Sequence, residues 1–498
     1  MLLPDASGDL PCFAFGVRHI DKMTAEPSAL TAAQQPILGL GGEFYDPVAS
    51  ADFPQTVLRF RNQPLAERLR LQALSEADWV THFGHFTPLA GGLATPLAIR
   101  YHGHQFRSYN PDLGDGRGFL FAQLREQPTE RWVDLSTKGS GQTPYSRAGD
   151  GRLTLKGAVR EALATAMLRA QGVNTSETLS IIETGEALQR SDEPSPTRGA
   201  VLVRRTHASV RFGGFQRCAA LDRPDLVQHL ASHVIEVYQP DLATTADPIA
   251  ALMQRVVVLS ARLCADWISA GFVHGVLNTD NMNVNGESFD YGPYRFLPYS
   301  DPNFVAAYFD HSGLYAFGRQ PQAVYWNLQQ LAGCFLGLTT ETALVSALEG
   351  FSEAYRLALA RRMVARFGLV PATPQDNQRL ASASFQLLAE GGAALRWEPL
   401  FFDWYGGEAA AKSALSGPRR ALYQTGLGEA FQAALKGFEP VDPSLRAQAY
   451  FQKEEPEELL YDEIENIWAA IAEADDWTLF SDKIARLYAV ERTLHPGA

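Results

Sequence analysis

The sequence predicts an α+β fold: a mixed α/β half, then a mainly helical half, then a helical C-terminal extension. Two observations predict it. Between about residues 100 and 217, strand-like alternation recurs around one long helical pattern. After about residue 225 the apolar spacing turns helical and stays so.

In the first half, Gly118–Leu124 and Trp132–Thr137 alternate as half-buried strands do. Lys156–Gln171 instead spaces Val159, Leu163, Ala166, Met167 and Ala170 along one helix face, and Gly172 follows as a stop. Leu179–Ile182 and Ala200–Val203 read as two further strands. Upstream, residues 36–98 read as short helices and turns. Arg68–Leu74 suits a helix, and Ser75 followed by Glu76 and Asp78 is a start signal. Gly91, Gly92 and Pro96 make Leu89–Pro96 a loop. Downstream, helices are expected at Pro248–Gly271, Ala323–Leu336, Thr342–Phe367 and Gln375–Glu390. Pro440 and Pro443 mark a break before a last helical segment, where the acidic run Lys453–Glu465 reads as a solvated helix face. The resulting division is a tail (1–36), an extension packed on the core (37–99), an N-terminal lobe (100–225), a helical C-terminal lobe (226–437) and a C-terminal helical segment (438–498).

Composition narrows the function classes. Of the 498 residues, 46% are apolar and 20% charged, as in ordinary globular chains. No stretch approaches the roughly 18 uninterrupted apolar residues of a membrane helix, so no membrane partner is expected. Pro4, Asp5 and Asp9 replace the basic and apolar blocks of a secretory signal, which predicts a cytoplasmic location. Cys12, Cys218, Cys264 and Cys334 are widely spaced, which speaks against a zinc site or a disulfide framework. A net charge of −13 disfavours nucleic acid. Residues 100–217 nevertheless hold 17 basic against 12 acidic side chains. A basic, glycine-rich segment inside an acidic chain suggests a pocket for a small polyanion.

The P-loop pattern and HExxH are both absent, and Gly139-Ser140-Gly141 is too short for a nucleophile elbow. Gly114-Asp115-Gly116-Arg117 leads straight into a strand. Glycines there let backbone N–H groups approach phosphate oxygens, and an arginine adds a bidentate charge. One such turn reads as a tight turn between strands. It recurs, however, as Gly149-Asp150-Gly151-Arg152, and Lys138 lies between the two copies. Lys138 ends a strand-like run and Glu161 lies on the next helix, the pairing by which protein kinases hold ATP phosphates.

The stretch His274-Gly275-Val276-Leu277-Asn278-Thr279-Asp280-Asn281, followed by Asp290-Tyr291-Gly292, has the His-to-Asn spacing of the kinase catalytic loop and then its metal-binding tripeptide. Asn285-Gly286 predicts a hairpin with short strands on either side. That turn would return Asp290 beside Asn281, where an amide oxygen and a carboxylate can share a hard cation. The fold class therefore sharpens to a protein-kinase-like bilobal fold. Val276 occupies the position of the kinase aspartate, which makes Asp280 the candidate base. Arg204 and Arg211 read equally as phosphate ligands or as solvated arginines, whereas His102 and His104 read as structural histidines.

The motifs Tyr101–Arg117, Lys138–Arg152, Arg160-Glu161 and His274–Pro293 resemble the selenoprotein O family of pseudokinase-fold protein adenylyltransferases, over roughly residues 40–340. The resemblance implies an inverted ATP whose AMP passes to protein Ser, Thr or Tyr hydroxyls. It implies that Gly114, Gly116, Arg117, Lys138, Asp150, Gly151, Arg204, Arg211 and Asp290 bind ATP, and that Glu161 pairs with Lys138. It further implies Asn281 and Asp290 as ligands of Mg²⁺ or Mn²⁺, and Asp280 as proton acceptor. The chain departs from the commonest pattern in three places. Arg107 replaces a glycine, Ala208-Ser209 stands where Ser-His is frequent, and the expected Cys- or selenocysteine-bearing tail is replaced by His495-Pro496-Gly497-Ala498. The rival readings are a γ-phosphoryl kinase and a nucleotide-binding scaffold without catalysis, with UTP and Mn²⁺ as a further donor variant.

Overall fold

The computed structural model describes residues 35–191 and 193–495. The tail expected at 1–36 and Cys12 therefore lie almost wholly outside the described residues.

An eight-stranded antiparallel sheet forms the first half. Its strands are β1 (Tyr45–Pro47), β2 (Val57–Arg61), β3 (Leu97–Ile99), β6 (Leu120–Glu126), β7 (Arg131–Lys138), β8 (Leu153–Thr154), β9 (Glu177–Leu188) and β10 (Thr197–Thr206). Their order is β1-β3-β6-β7-β10-β9-β2, with β8 paired to β10. A separate hairpin, β4 (Gly103–Gln105) and β5 (Ser108–Asn110), stands beside it. Period-two alternation sorts the side chains of the central strands to opposite faces. Phe119, Phe121, Val201 and Val203 pack under Trp79 and Phe83, whereas Leu120, Ala200 and Leu202 face the core built on helix α3 (Leu155–Ala170).

Two expectations for the first hundred residues are corrected. The segment is not only helices and turns, because β1, β2 and β3 enter the sheet there. The helix expected over Arg68–Leu74 ends where it was to begin. Helix α1 is Gln63–Arg68, started by the Asn62 carboxamide accepting from Leu65 N (3.1 Å) and by a proline in its first turn. Arg70 then takes φ +60° and breaks the run. Helix α2 (Glu76–Phe83) follows the start signal, with Ser75 and Asp78 forming a capping box.

The second half is helical. Helix α4 (Phe212–Ala220) and α5 (Pro224–Tyr238) lead into α6 (Pro248–Ser269), then α7 (Gln320–Cys334), α8 (Glu341–Arg366) and α9 (Pro374–Gly391). These fall within a few residues of the helical spacing read from the sequence. Among the described residues α6 is the one helix long and apolar enough to cross a membrane, and it is mostly buried as the central core helix. The C-terminal helices Tyr461–Ala474 and Thr478–Leu494 place Ile467, Ile471, Phe480 and Leu487 in the same core as α3. Lys156 Nζ–Glu465 Oε2 (2.7 Å) and Arg169 Nε–Glu491 Oε1 (2.8 Å) fasten them to it.

Behind the sheet, Glu177 is buried among Arg68, Arg169 (2.6 Å) and Arg205. Burial alone would raise its pKa, but Arg205, Arg169 and Arg68 outweigh that and hold it at about 2. Because the folded pKa lies below the unfolded one, Glu177 contributes roughly 3 kcal/mol above pH 4.5. That contribution drains as pH falls toward 2. Glu177→Gln, which leaves three guanidinium groups short of a carboxylate, is expected to cost about 3–5 kcal/mol at pH 7. Chemical denaturation should show the gap to wild type closing between pH 4.5 and 2.

Candidate active site

The two glycine-rich turns clasp each other. Thr143 Oγ1 donates to Asp115 O (2.6 Å) and Ser146 Oγ donates to Gly116 O (2.5 Å), so the second loop sits on the first. Their glycines are required by this approach. A Cβ on Gly114 would lie 2.3 Å from the Tyr145 ring, and one on Gly151, at φ +70°, 2.3 Å from the Gly141 backbone. Together the loops wall one side of a cleft of about 770 Å³.

Strand β7 delivers Lys138 to the floor of that cleft. Its Nζ lies 2.6 Å from Glu161 Oε2 on α3 and 3.1 Å from Asp290 Oδ1, with Lys138 and Glu161 both buried. Strand β10 runs beside β7, pairing Leu202 with Lys138, and so projects Arg204 onto the same carboxylates. Arg204 Nη1 stands 3.2 Å from Glu161 Oε1 and 3.0 Å from Asp290 Oδ1. Arg211, past the end of β10, donates from Nη1 to Asp290 Oδ2 (3.2 Å) and to the Asp280 carbonyl (2.9 Å). One guanidinium nitrogen thus touches both ends of the expected catalytic motif. The guanidinium of Arg211 packs between Tyr101 and Phe289, 4.8 and 4.9 Å from their ring centres. Both arginines line the cleft and pair with Asp290, so neither is a solvated surface arginine.

The expected hairpin at Asn285-Gly286 is corrected. The segments flanking it do not pair with each other. Asn283 bridges to Arg211 and Ser288 to Thr175, so the turn is stitched between β10's exit and the segment before β9. Gly286, at φ +59°, presses on the α6 backbone at Leu259, where a Cβ would approach within 2.7 Å. Asp290 and Asn281 nevertheless both line the cleft. His274, buried and kept neutral by that burial, bonds through Nε2 to Phe289 O (2.9 Å), tying the start of the motif to the residue before Asp290.

The acids of the site are pushed in opposite directions. Burial would raise Asp290, but Lys138, Arg204 and Arg211 hold it well below the carboxylate range. Burial raises Asp280 to about 6, against the pull of Arg211, and its Oδ1 is buried with no hydrogen-bond partner. Such a split marks acid–base assignments in enzymes. Asn281 donates from Nδ2 to Val276 O (3.0 Å), which leaves its Oδ1 uncommitted on the cleft wall. An uncommitted amide oxygen and an ionised carboxylate on one cleft are donors that suit a hard divalent cation, the remaining positions being left to phosphate and water.

The other expected residues scatter more. Gly114, Gly116, Arg117, Asp150 and Gly151 all line the cleft, but Asp150 is tied up by Arg190 (2.7 Å) at its rim. Asp115, not singled out from the sequence, is the deeper acid. It accepts from Ile99 N (3.1 Å), and its carboxylate lies 3.6 Å from Arg211. The repeated Gly-Asp-Gly-Arg tetrapeptide was the signal that could have found it. Arg147 and Arg190 also line the cleft. His102 and His104 are structural, bonded to Tyr109 (2.6 Å) and Gln216 (2.8 Å). Cys218, Cys264 and Cys334 are free and buried.

Residues 29–488 match the family model for Protein adenylyltransferase SelO. The chain belongs to that family. Its relatives include the Protein nucleotidyltransferase YdiU of Synechocystis, 40% identical over 92% of this chain and 98% of the relative. The protein of the same name in Gloeobacter violaceus is 43% identical over 90% and 93%. In this SelO family member the match spans both the sheet with its glycine loops and the helical half that carries His274–Asp290.

Proposed function

We propose that the chain is a metal-dependent protein nucleotidyltransferase that moves AMP from ATP to Ser, Thr or Tyr hydroxyls of proteins and releases pyrophosphate. One observation carries the reading. The basic cleft holds an ionised acid, Asp290, ringed by Lys138, Arg204 and Arg211, and a second acid, Asp280, whose Oδ1 is buried without a hydrogen-bond partner. The same parts fit a kinase-like two-lobed division at about residue 225, with the cleft between the sheet and the motif 274–293.

The chain's own groups account for the steps. The glycine loops bring backbone N–H groups and Arg117 to the phosphates. Lys138, Arg204 and Arg211 neutralise phosphate charge, and Glu161 keeps Lys138 in place. A bound Mg²⁺ or Mn²⁺, held by Asn281 Oδ1 and Asp290, would supply further charge neutralisation for the departing pyrophosphate. Asp280 takes the proton of the acceptor hydroxyl as its oxygen attacks the α-phosphorus and the bond to the β-phosphate oxygen breaks. A base near pKa 6 is ionised at neutral pH and still has affinity for that proton. Val276 lines the cleft where a kinase keeps its aspartate, so γ-phosphoryl transfer lacks its usual base.

ATP labelled at the α- or the γ-phosphate separates the readings. The α-label is expected on the acceptor protein. Transfer of the γ-label would make the chain a kinase, and binding without either label would make it a scaffold. UTP in place of ATP tests the donor.

A further inference from the structure

The acceptor protein must reach Asp280, and the wall it meets there is unusual. The β4–β5 hairpin lies directly on the motif. His104 N donates to Thr279 Oγ1 (2.7 Å) and Phe106 N to Asn278 Oδ1 (3.1 Å). Tyr315 Oη donates to the same Asn278 oxygen (2.7 Å). The approach is so close that a Cβ on Gly103 would stand 3.2 Å from Asp280 Oδ1. The tip of this hairpin holds two successive non-glycine residues, Phe106 and Arg107, at φ +50° and +64°. Left-handed backbone on bulky residues is strain that the surrounding contacts must maintain, and both residues are exposed.

What the tip displays is aromatic and cationic. Phe106 (37% exposed) meets Phe309 (42%) at 5.9 Å between ring centres, and Phe309 meets Tyr308 (76%) at 5.1 Å. Exposed aromatic groups contiguous with a catalytic loop mark a recognition surface rather than scattered surface apolarity. Arg107 is exposed and rests on Trp326 (5.5 Å), and among the described residues no carboxylate pairs with it. In a chain of net charge −13 an unpaired exposed arginine at this place is a charge awaiting a partner.

We propose that the hairpin tip and the 308–309 loop form the docking surface for the acceptor: an extended segment of a protein carrying the target hydroxyl, with an aromatic or large apolar residue for Phe106 and Phe309 and a carboxylate for Arg107. The proposal rests on the nucleotidyl-transfer reading of the cleft and adds the class of acceptor sequence.

The test uses the full chain and four labelled synthetic peptides centred on serine, flanked by Phe and Asp, Phe and Lys, Gly and Asp, or Gly and Lys. Binding is read by fluorescence anisotropy and AMP incorporation by mass spectrometry. The Phe–Asp peptide should bind about tenfold more tightly than either singly matched peptide. Arg107→Glu should shift the preference to Phe–Lys, and Phe309→Ser should erase the advantage of Phe, while ATP affinity stays at the wild-type value in both. Equal binding of the four peptides to the wild type overturns the proposal without any variant. A concentration-dependent dimer dissolved by Phe309→Ser, with no peptide bound, would assign the surface to a second copy and also overturn it. The ranking with no AMP incorporated would leave the docking surface standing and remove the transferase reading. AMP on all four peptides with equal binding would do the reverse.

Discussion

Asp290→Ala is expected to lower nucleotidyl transfer by at least about a thousandfold, which corresponds to roughly 4 kcal/mol of transition-state stabilisation. The carboxylate does two things at once. It is an ionised acid lining the same cleft as Asn281, and it sets the positions of Lys138, Arg204 and Arg211, each within 3.2 Å of it. Removing it deletes a proposed metal ligand and leaves Lys138 and Arg204 sharing Glu161, and Arg211 with Asp115. The excess positive charge has a distinctive consequence: binding of metal-free ATP should hold or tighten while metal-dependent turnover disappears. Calorimetric titration with and without Mg²⁺, beside initial rates, checks both halves. A variant that keeps more than a tenth of its activity would remove Asp290 from the metal site.

Asp280→Asn is expected to reduce transfer by about 10²–10⁴ with little change in ATP affinity, the range for loss of a general base. In the wild type the rate should fall as pH drops below about 6, where the buried Asp280 carboxyl becomes protonated and can no longer accept the hydroxyl proton. That acid limb should vanish from the residual rate of the variant. Stability should move the opposite way. The folded pKa of Asp280 lies above its unfolded value, so the folded state holds its proton more tightly and ionisation of this group works against folding as pH rises through 4 to 6. Asparagine escapes that cost. The variant should therefore be more stable than wild type by about 1–3 kcal/mol at pH 8, with the gain fading toward pH 4. A less stable variant at pH 8 would mean that the Asp280 carboxylate is satisfied in some way the structure does not show.

The part of the candidate site between His274 and Asp290 was legible because its reading depends on spacing along one short stretch. The interval from His274 to Asn281, and then to Asp290, survives in the sequence even though the turn between them is built differently. Lys138 and Glu161 were legible for a similar reason, one closing a strand and the other lying on the next helix. What the sequence hid are relations set by distant segments. Asn285-Gly286 carries a hairpin signal, but its flanks pair with Arg211 and Thr175, partners no local pattern announces. Asp115 and Asp150 sit in identical tetrapeptides, and only packing against Ile99 and Arg211 makes the first the less exposed one. The short strands Tyr45–Pro47 and Leu97–Ile99 are too brief for alternation to register, and their place is fixed by mutual pairing across fifty residues. Arg204 was ambiguous because its context, Val203-Arg204-Arg205, alternates. One arginine turns to the cleft and the other to the buried cluster of Glu126, Glu177 and Glu287 behind the sheet.

Crystals grown with Mn²⁺ and a non-transferable ATP analogue would test the central claim most directly, through the anomalous signal of the metal. The account predicts manganese coordinated by Asp290 and the Asn281 side-chain oxygen, with the α-phosphate nearest Asp280 and Lys138 on the phosphate chain. Manganese bound away from those two side chains, or the γ-phosphate facing Asp280, would contradict it.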